Sequence, residues 1–168
     1  MKAVENADFP VAAVSVVHLA GLPCEIDEIG LYCRNKNISV IEDACHAPWA
    51  MYGSKRKKLF HVGSCSHSQA TTLSFHAIKH IAAGEGGVLL TNDQQIRDNA
   101  LKLRSHGIEY SSDKFLDTTN RDNPWYYEMQ ELGYNFRLNE MSCALALSQL
   151  ARLPSNIGHR DAIADVYS

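Results

Sequence analysis

The residues best suited to chemistry are a hydroxyl, a lysine and a glycine-rich turn in quick succession: Ser74-Phe75-His76-Ala77-Ile78-Lys79, then Gly84-Glu85-Gly86-Gly87. Apolar runs flank this stretch within residues 71–92. Strand, turn and strand would leave Lys79 in the intervening loop, where its amine can face a ligand while rigid elements hold it. The glycines permit positive φ and close approach of backbone to ligand. Upstream, Asp43 ends the run Val40-Ile41-Glu42-Asp43, and open α/β sheets bind ligands just beyond the carboxyl ends of their strands. An amine and a carboxylate in these positions are what pyridoxal phosphate chemistry requires. The lysine condenses with the aldehyde, and the acid keeps the pyridine nitrogen protonated so that the ring can accept electrons. Each residue also has a plainer reading: an exposed lysine in a tight connection, and an Asp that caps the following turn.

Four histidines, His61, His67, His76 and His80, fall within residues 61–80. His76 and His80 have the i, i+4 spacing of helix-borne ligands. No Glu lies between them and glycines follow closely, so no metal site is expected.

The elements that would position these residues read as an α/β fold with a mostly parallel sheet flanked by helices. Residues 11–17 are valine-rich and uncharged, and residues 38–41 are apolar; both suit strands buried on two faces. Between them, residues 25–35 have helical spacing, with Glu25, Asp27 and Glu28 at the front and Arg34 at the back, matched to the helix dipole. Together they make a β-α-β unit, expected to be right-handed. Small side chains at Ala44 and Ala47 would leave room beside Asp43. A hairpin is expected around Gly53, with a solvated basic tip over residues 54–58. A helix is expected over residues 93–105, capped by Asn92 or Asp93 and ended by His106-Gly107. Residues 111–123 are polar and suit a mobile surface loop, of the kind that can serve as a substrate lid. Two helical segments, residues 140–150 and 157–167, complete the chain.

At 168 residues and 45% hydrophobic content, the chain can build one globular core. A net charge of -3 with pI near 6.2 leaves no electrostatic footprint for nucleic acid. Five scattered cysteines, Cys24, Cys33, Cys45, Cys65 and Cys143, form no Cys-x-x-Cys pair and suit reduced thiols in the cytoplasm. The apolar run at residues 11–22 is too short to span a bilayer, and Glu5, Asp8 and His18 argue against a signal peptide and a membrane role.

Three stretches in order carry a family resemblance: Val40-Ile41-Glu42-Asp43-Ala44-Cys45-His46-Ala47, Ser74-Phe75-His76-x-x-Lys79 with its glycine turn, and Gly133-Tyr134-Asn135-Phe136-Arg137-Leu138. The chain resembles the sugar-nucleotide aminotransferases, pyridoxal phosphate enzymes of the aspartate aminotransferase fold (fold type I). Arg104-Ser105-His106-Gly107 and Ala144-Leu145-Ala146-Leu147-Ser148-Gln149-Leu150 look most like the transaminases that aminate C4 of a UDP-linked 4-keto sugar in pseudaminic acid synthesis.

The resemblance implies that Lys79 forms the Schiff base and carries the proton, Asp43 pairs with the pyridine nitrogen, and Ser74 donates to the cofactor phosphate. His46 would lie against the ring or near its phenolic oxygen, or else be a satisfied core histidine. Asn135 would reach the phosphate of a neighbouring subunit's cofactor across a homodimer, with Arg137 assisting, and His106 would face substrate. The amino donor implied is glutamate, and the product would serve surface glycan or flagellin glycosylation. Family members are about twice as long, so residues 1–168 would form part of the large domain, without the preceding segment or the small C-terminal domain. Ala82 and Ala83 replace the family's usual hydroxyl-bearing residues. A related sugar dehydratase lacks the lysine, which Lys79 argues against. An inactive fragment acting as a structural or interaction module is the alternative.

Overall fold

The computed structural model describes residues 1–53 and 58–168; most of the expected basic tip, residues 54–57, lies outside them. In chain order the elements are α1 (Lys2–Glu5), β1 (Ala13–Val17), α2 (Ile26–Asn35), β2 (Ser39–Asp43), β3 (Met51–Gly53), β4 (Leu59–His61), β5 (Ala70–Ser74), β6 (Gly87–Leu90), α3 (Gln94–Arg104), β7 (Ile108–Glu109), β8 (Glu128–Met129) and α4 (Glu140–Tyr167). They divide into two compact units, Met1–Asn92 with Asn139–Ser168, and Asp93–Leu138.

The first unit holds a sheet in the order β1-β2-β5-β6. β1, β2 and β5 are parallel and β6 returns antiparallel to β5, so the sheet is mostly parallel as expected. β1, α2 and β2 form the β-α-β unit. Ile26 and Cys33 of α2 pack with Val40 of β2, Ala44, Ala47, Tyr52 and Val62 in the main core, joined by Val14, Val16 and Leu73. Ala44 and Ala47 therefore fill the core and do not open space beside Asp43; their small size lets the chain turn tightly under the strand end.

Two strand expectations need correction. β1 and β2 are not buried on both faces but alternate, β1 because it forms a sheet edge and both because α2 covers one side. On the opposite side, Val17, Ile41 and Leu89 are 46%, 38% and 43% exposed. The register puts Val17, Asp43, Thr72 and Leu89 level with one another on this open face, and the two-residue repeat adds Ile41 and Ser74 to it.

β3 and β4 form the expected hairpin. α4 is one helix of 28 residues running through Pro154, where two segments were expected. Pro154 has no N–H for the carbonyl of Leu150. Packing of Ala146 and Leu153, with Ile157 a turn beyond the proline, against Ile81, Ala83 and Phe75 compensates for that lost bond.

The second unit joins α3 to the short pair β7 and β8. Asp93 caps α3 by accepting from the backbone N–H groups of Gln95 and Ile96 at 2.8 and 3.1 Å. Residues 111–123 are tied down more than a free loop would be. Glu128 accepts from the N–H groups of Leu116 and Asp117 at 2.7 and 2.8 Å, and Phe115 is buried against Tyr126.

Candidate functional site

Asp43 is the last residue of β2 and Ser74 the last of β5, and both rise from the open face of the sheet. Strand alternation causes this: Glu42 and Leu73, one residue earlier, turn inward. The carboxylate oxygen Oδ1 of Asp43 accepts the backbone N–H of Cys45 at 3.0 Å. Hydrogen bonds from the Cys45 thiol and backbone N–H, helped by the nearby Lys79 amine, hold the Asp43 carboxyl below its ordinary value, against a smaller effect of burial. The turn-capping alternative is therefore realised, one carboxylate oxygen capping the turn that follows β2.

Lys79 lies in the loop between β5 and β6, as expected. The loop is closed at its neck by Phe75 N–H donating to Gly86 C=O at 2.8 Å and by Ala83 N–H donating to Phe75 C=O at 2.8 Å. Below it, Ile81 and Ala83 are buried against α4. Lys79 N–H donates to His76 C=O at 2.9 Å, which turns the chain where the amine projects. Gly86 has φ of +131°, a conformation closed to other residues, while Gly87 has ordinary strand φ and is small because a Cβ would come within 2.7 Å of Leu73 O. Ala83 occupies a core position, so its methyl group packs where a hydroxyl would need a partner.

The Ser74 hydroxyl oxygen accepts His76 N–H at 3.2 Å, which leaves its proton to donate elsewhere. His46 follows Asp43 by one turn, and its Nδ1 accepts Ala20 N–H at 3.4 Å. It lies near Asp43 and His80, as does Lys79, so these groups form one cluster in the first unit.

Two further members of this neighbourhood are His80 and Cys45. His80 entered only as a metal ligand. Its Nδ1 is buried without a hydrogen-bond partner, and burial, then Arg160, His46 and Lys79, lower its pKa. Adjacency to Lys79 was the available signal. Cys45 stands in the motif around Asp43 and in the thiol count, with no role of its own there. Burial and the Asp43 carboxylate raise its pKa, while Lys79 opposes them. Among the described residues no group of His, Cys, Asp and Glu is placed to hold a metal ion. No helix among them is long and apolar enough to cross a membrane.

His106, Asn135 and Arg137 belong to the second unit. An antiparallel bridge links Ser105 to Asn135, and His106 N–H donates to Tyr134 C=O at 2.8 Å, so the strip 134–137 runs beside the end of α3. The strip brings His106 and Asn135 onto adjacent strands of backbone, with Arg137 two residues beyond. All three side chains are exposed.

Residues 2–168 match the sequence model of the DegT/DnrJ/EryC1/StrS aminotransferase family. The UDP-4-amino-4,6-dideoxy-N-acetyl-beta-L-altrosamine transaminase of Campylobacter jejuni subsp. jejuni is 36% identical over 157 residues, which cover 94% of this chain and 37% of that protein. Among solved structures, PseC of Helicobacter pylori, an aminotransferase involved in the biosynthesis of pseudoaminic acid, superposes with a TM-score of 0.70 at 31% identity. That match covers 89% of this chain and 36% of PseC. The aminotransferase TlmJ from Streptoalloteichus hindustanus gives a TM-score of 0.80 at 26% identity over 98% of this chain and 40% of its own. The chain thus spans about 37% of the length of the Campylobacter relative.

Proposed function

The chain belongs to the DegT/DnrJ/EryC1/StrS aminotransferase family, and on that premise we propose that it carries the cofactor-binding part of a pyridoxal phosphate-dependent transaminase. The amino group passes from an amino acid, glutamate by family resemblance, to a nucleotide-linked 4-keto-6-deoxy sugar. The observation that carries the reading is the placing of Asp43 and Ser74 on one open sheet face, with Lys79 in the loop that follows Ser74. The Campylobacter and Helicobacter relatives support the sugar-nucleotide substrate class.

The donor set fits the cofactor. A carboxylate kept ionised by the Cys45 thiol and backbone N–H matches a protonated ring nitrogen, and a short hydroxyl at a strand end matches a phosphate. Pyridoxal phosphate bound there would supply an aldehyde for the amine and a ring that draws electrons from the substrate carbon. Lys79 would hold the cofactor covalently and, once released by the incoming amine, carry the proton between substrate carbon and cofactor. Asp43 would hold a proton at the ring nitrogen. Ser74 would donate to the phosphate, and His46 would lie against the ring or its phenolic oxygen. Asn135, exposed on its strip, suits a reach to the phosphate in a neighbouring subunit, with Arg137 assisting and His106 on the substrate side. The domain reading goes with this: residues 1–168 are part of a large domain whose complete form works as a cytoplasmic homodimer.

The test is to add pyridoxal phosphate to the purified chain, reduce with borohydride, and map the modified peptide. A cofactor-sized mass on Lys79, absent in Lys79→Ala, supports the proposal. Folded protein that takes up no mass, or takes it up equally in Lys79→Ala, overturns it in favour of an inert fragment.

A further inference from the structure

The mechanism above leaves unused the most deeply buried polar group of the first unit. His18 and Glu42 are 0% and 1% exposed, and His18 Nε2 lies 2.8 Å from Glu42 Oε2. The tautomer follows from the other nitrogen: Nδ1 accepts Cys24 N–H at 3.0 Å, so the proton is on Nε2 and is donated to the carboxylate. Glu42 Oε1 accepts the Ser68 hydroxyl and, at 3.3 Å, the Thr71 hydroxyl. One carboxylate therefore joins the segment after β1, the loop before β5, and β5 itself. Burial alone would raise the pKa of Glu42, but the hydrogen bonds from His18 and Ser68, with Thr71, outweigh it and hold the group ionised.

This network lies directly beneath the proposed ring-nitrogen partner. Glu42 points into the core and Asp43, next in sequence, points to the open face. His18 grips both residues, its side chain on the Glu42 carboxylate and its backbone N–H on Asp43 C=O at 3.0 Å. The far side of the strand end is held as well, Ala44 N–H donating to Thr72 C=O at 2.9 Å. An isolated buried carboxylate is costly, and an apolar side chain of the same shape would seal this core at no such cost. We propose that Glu42 and His18 are positioning residues that hold the end of β2 so that the Asp43 carboxylate keeps its orientation toward the open face. The role assigned to Asp43 rests on the proposed function; the orientation of its carboxylate does not.

Carbon-13 NMR of the Asp43 side-chain carboxyl tests this in the full chain without cofactor. Removing the negative charge of Glu42 would by itself lower the Asp43 midpoint, whereas freeing Asp43 from the Cys45 N–H would raise it toward the ordinary carboxylate value. Glu42→Ala is expected to raise it. Glu42→Gln, which loses the charge but keeps the shape and the same partners, its carbonyl oxygen accepting His18 Nε2–H and its amide N–H groups donating to the Ser68 and Thr71 hydroxyl oxygens, is expected not to. With pyridoxal phosphate added, Glu42→Ala should bind about tenfold more weakly, the equivalent of one charge-assisted hydrogen bond, and Glu42→Gln nearly as the parent. A folded Glu42→Ala chain whose Asp43 midpoint is unchanged or lower overturns the proposal. If Glu42→Ala does not fold, the double variant Ser68→Ala with Thr71→Val takes its place with the same expected rise. Loss of folding there too overturns the proposal by making the network a requirement of the core. A parent chain that binds no cofactor overturns the proposed function alone, because the Asp43 titration is still read.

Discussion

At the scale of single residues, the site depends on backbone groups as much as on its side chains. Asp43 keeps one carboxylate oxygen on Cys45 N–H, and Ser74 accepts His76 N–H, so each side chain is oriented by the chain two residues on. Each retains a second capacity for a ligand. Ser74→Ala removes a hydroxyl without disturbing β5, since Ser74 is the strand's last residue. It should weaken pyridoxal phosphate binding about tenfold, as measured by absorbance titration, with the urea midpoint little changed. Both residues could be placed from the sequence because strand ends and two-residue alternation are local properties. The buried partner of His18 could not, since residues 18 and 42 meet only through parallel pairing of β1 with β2.

Among the elements, α2 shows how closely the layers meet. Gly30 faces the loop that leads into β5, and a Cβ there would come within 2.3 Å of the His67 carbonyl oxygen and 3.0 Å of its Cβ. Gly30→Ala must push the helix from the sheet and should destabilise the chain by about 1–3 kcal/mol, read from urea unfolding. Gly107 makes a similar demand by a different route. It takes φ of +68° to end α3, and a Cβ would come within 1.9 Å of Glu131 O. Gly107→Ala should disrupt the strip carrying Asn135, visible as loss of the amide pattern of residues 134–137 by NMR, while the amides of β2 and β5 stay unchanged. The boundaries of α2 and α3 were readable from their charge order and from the Asp93 cap. The continuity of α4 was not, because proline propensity argues for a break and only the contacts of Leu153 and Ile157 override it.

Across the whole molecule, acid is the expected weakness. Glu42 and Asp43 in the first unit, and Asp117 and Glu128 in the second, are all held below their ordinary carboxyl values. For Asp117 the main cause is the Thr119 N–H, and for Glu128 hydrogen bonds from Gln130, Leu116 and Asp117 overcome desolvation. A group whose folded pKa is depressed contributes stability that is present above its unfolded value. That contribution is lost as pH falls through the folded one. Stability should therefore begin to fall below about pH 6.5, where unfolded His80 takes up a proton that the buried imidazole resists, and fall further below about pH 4.5, where unfolded carboxyls begin to bind protons. The check is urea unfolding at stepped pH. Glu42→Gln should flatten the fall by removing one proton-linked group, and an equally steep fall in that variant would contradict the assignment.

The sequence by itself determined which residues could do chemistry and which elements carry them. Asp43 at a strand end, Lys79 in a glycine-bounded loop, and the parallel β-α-β unit all follow from local periodicity and turn chemistry. Tertiary structure decided what those residues meet. It put Asp43 and Ser74 on the same open face, fixed the Lys79 loop by burying Ile81 and Ala83 against α4, and joined His18 to Glu42 beneath the site. Register and helix packing set these meetings, and both arise from contacts between residues far apart in the chain, which periodicity along it does not encode.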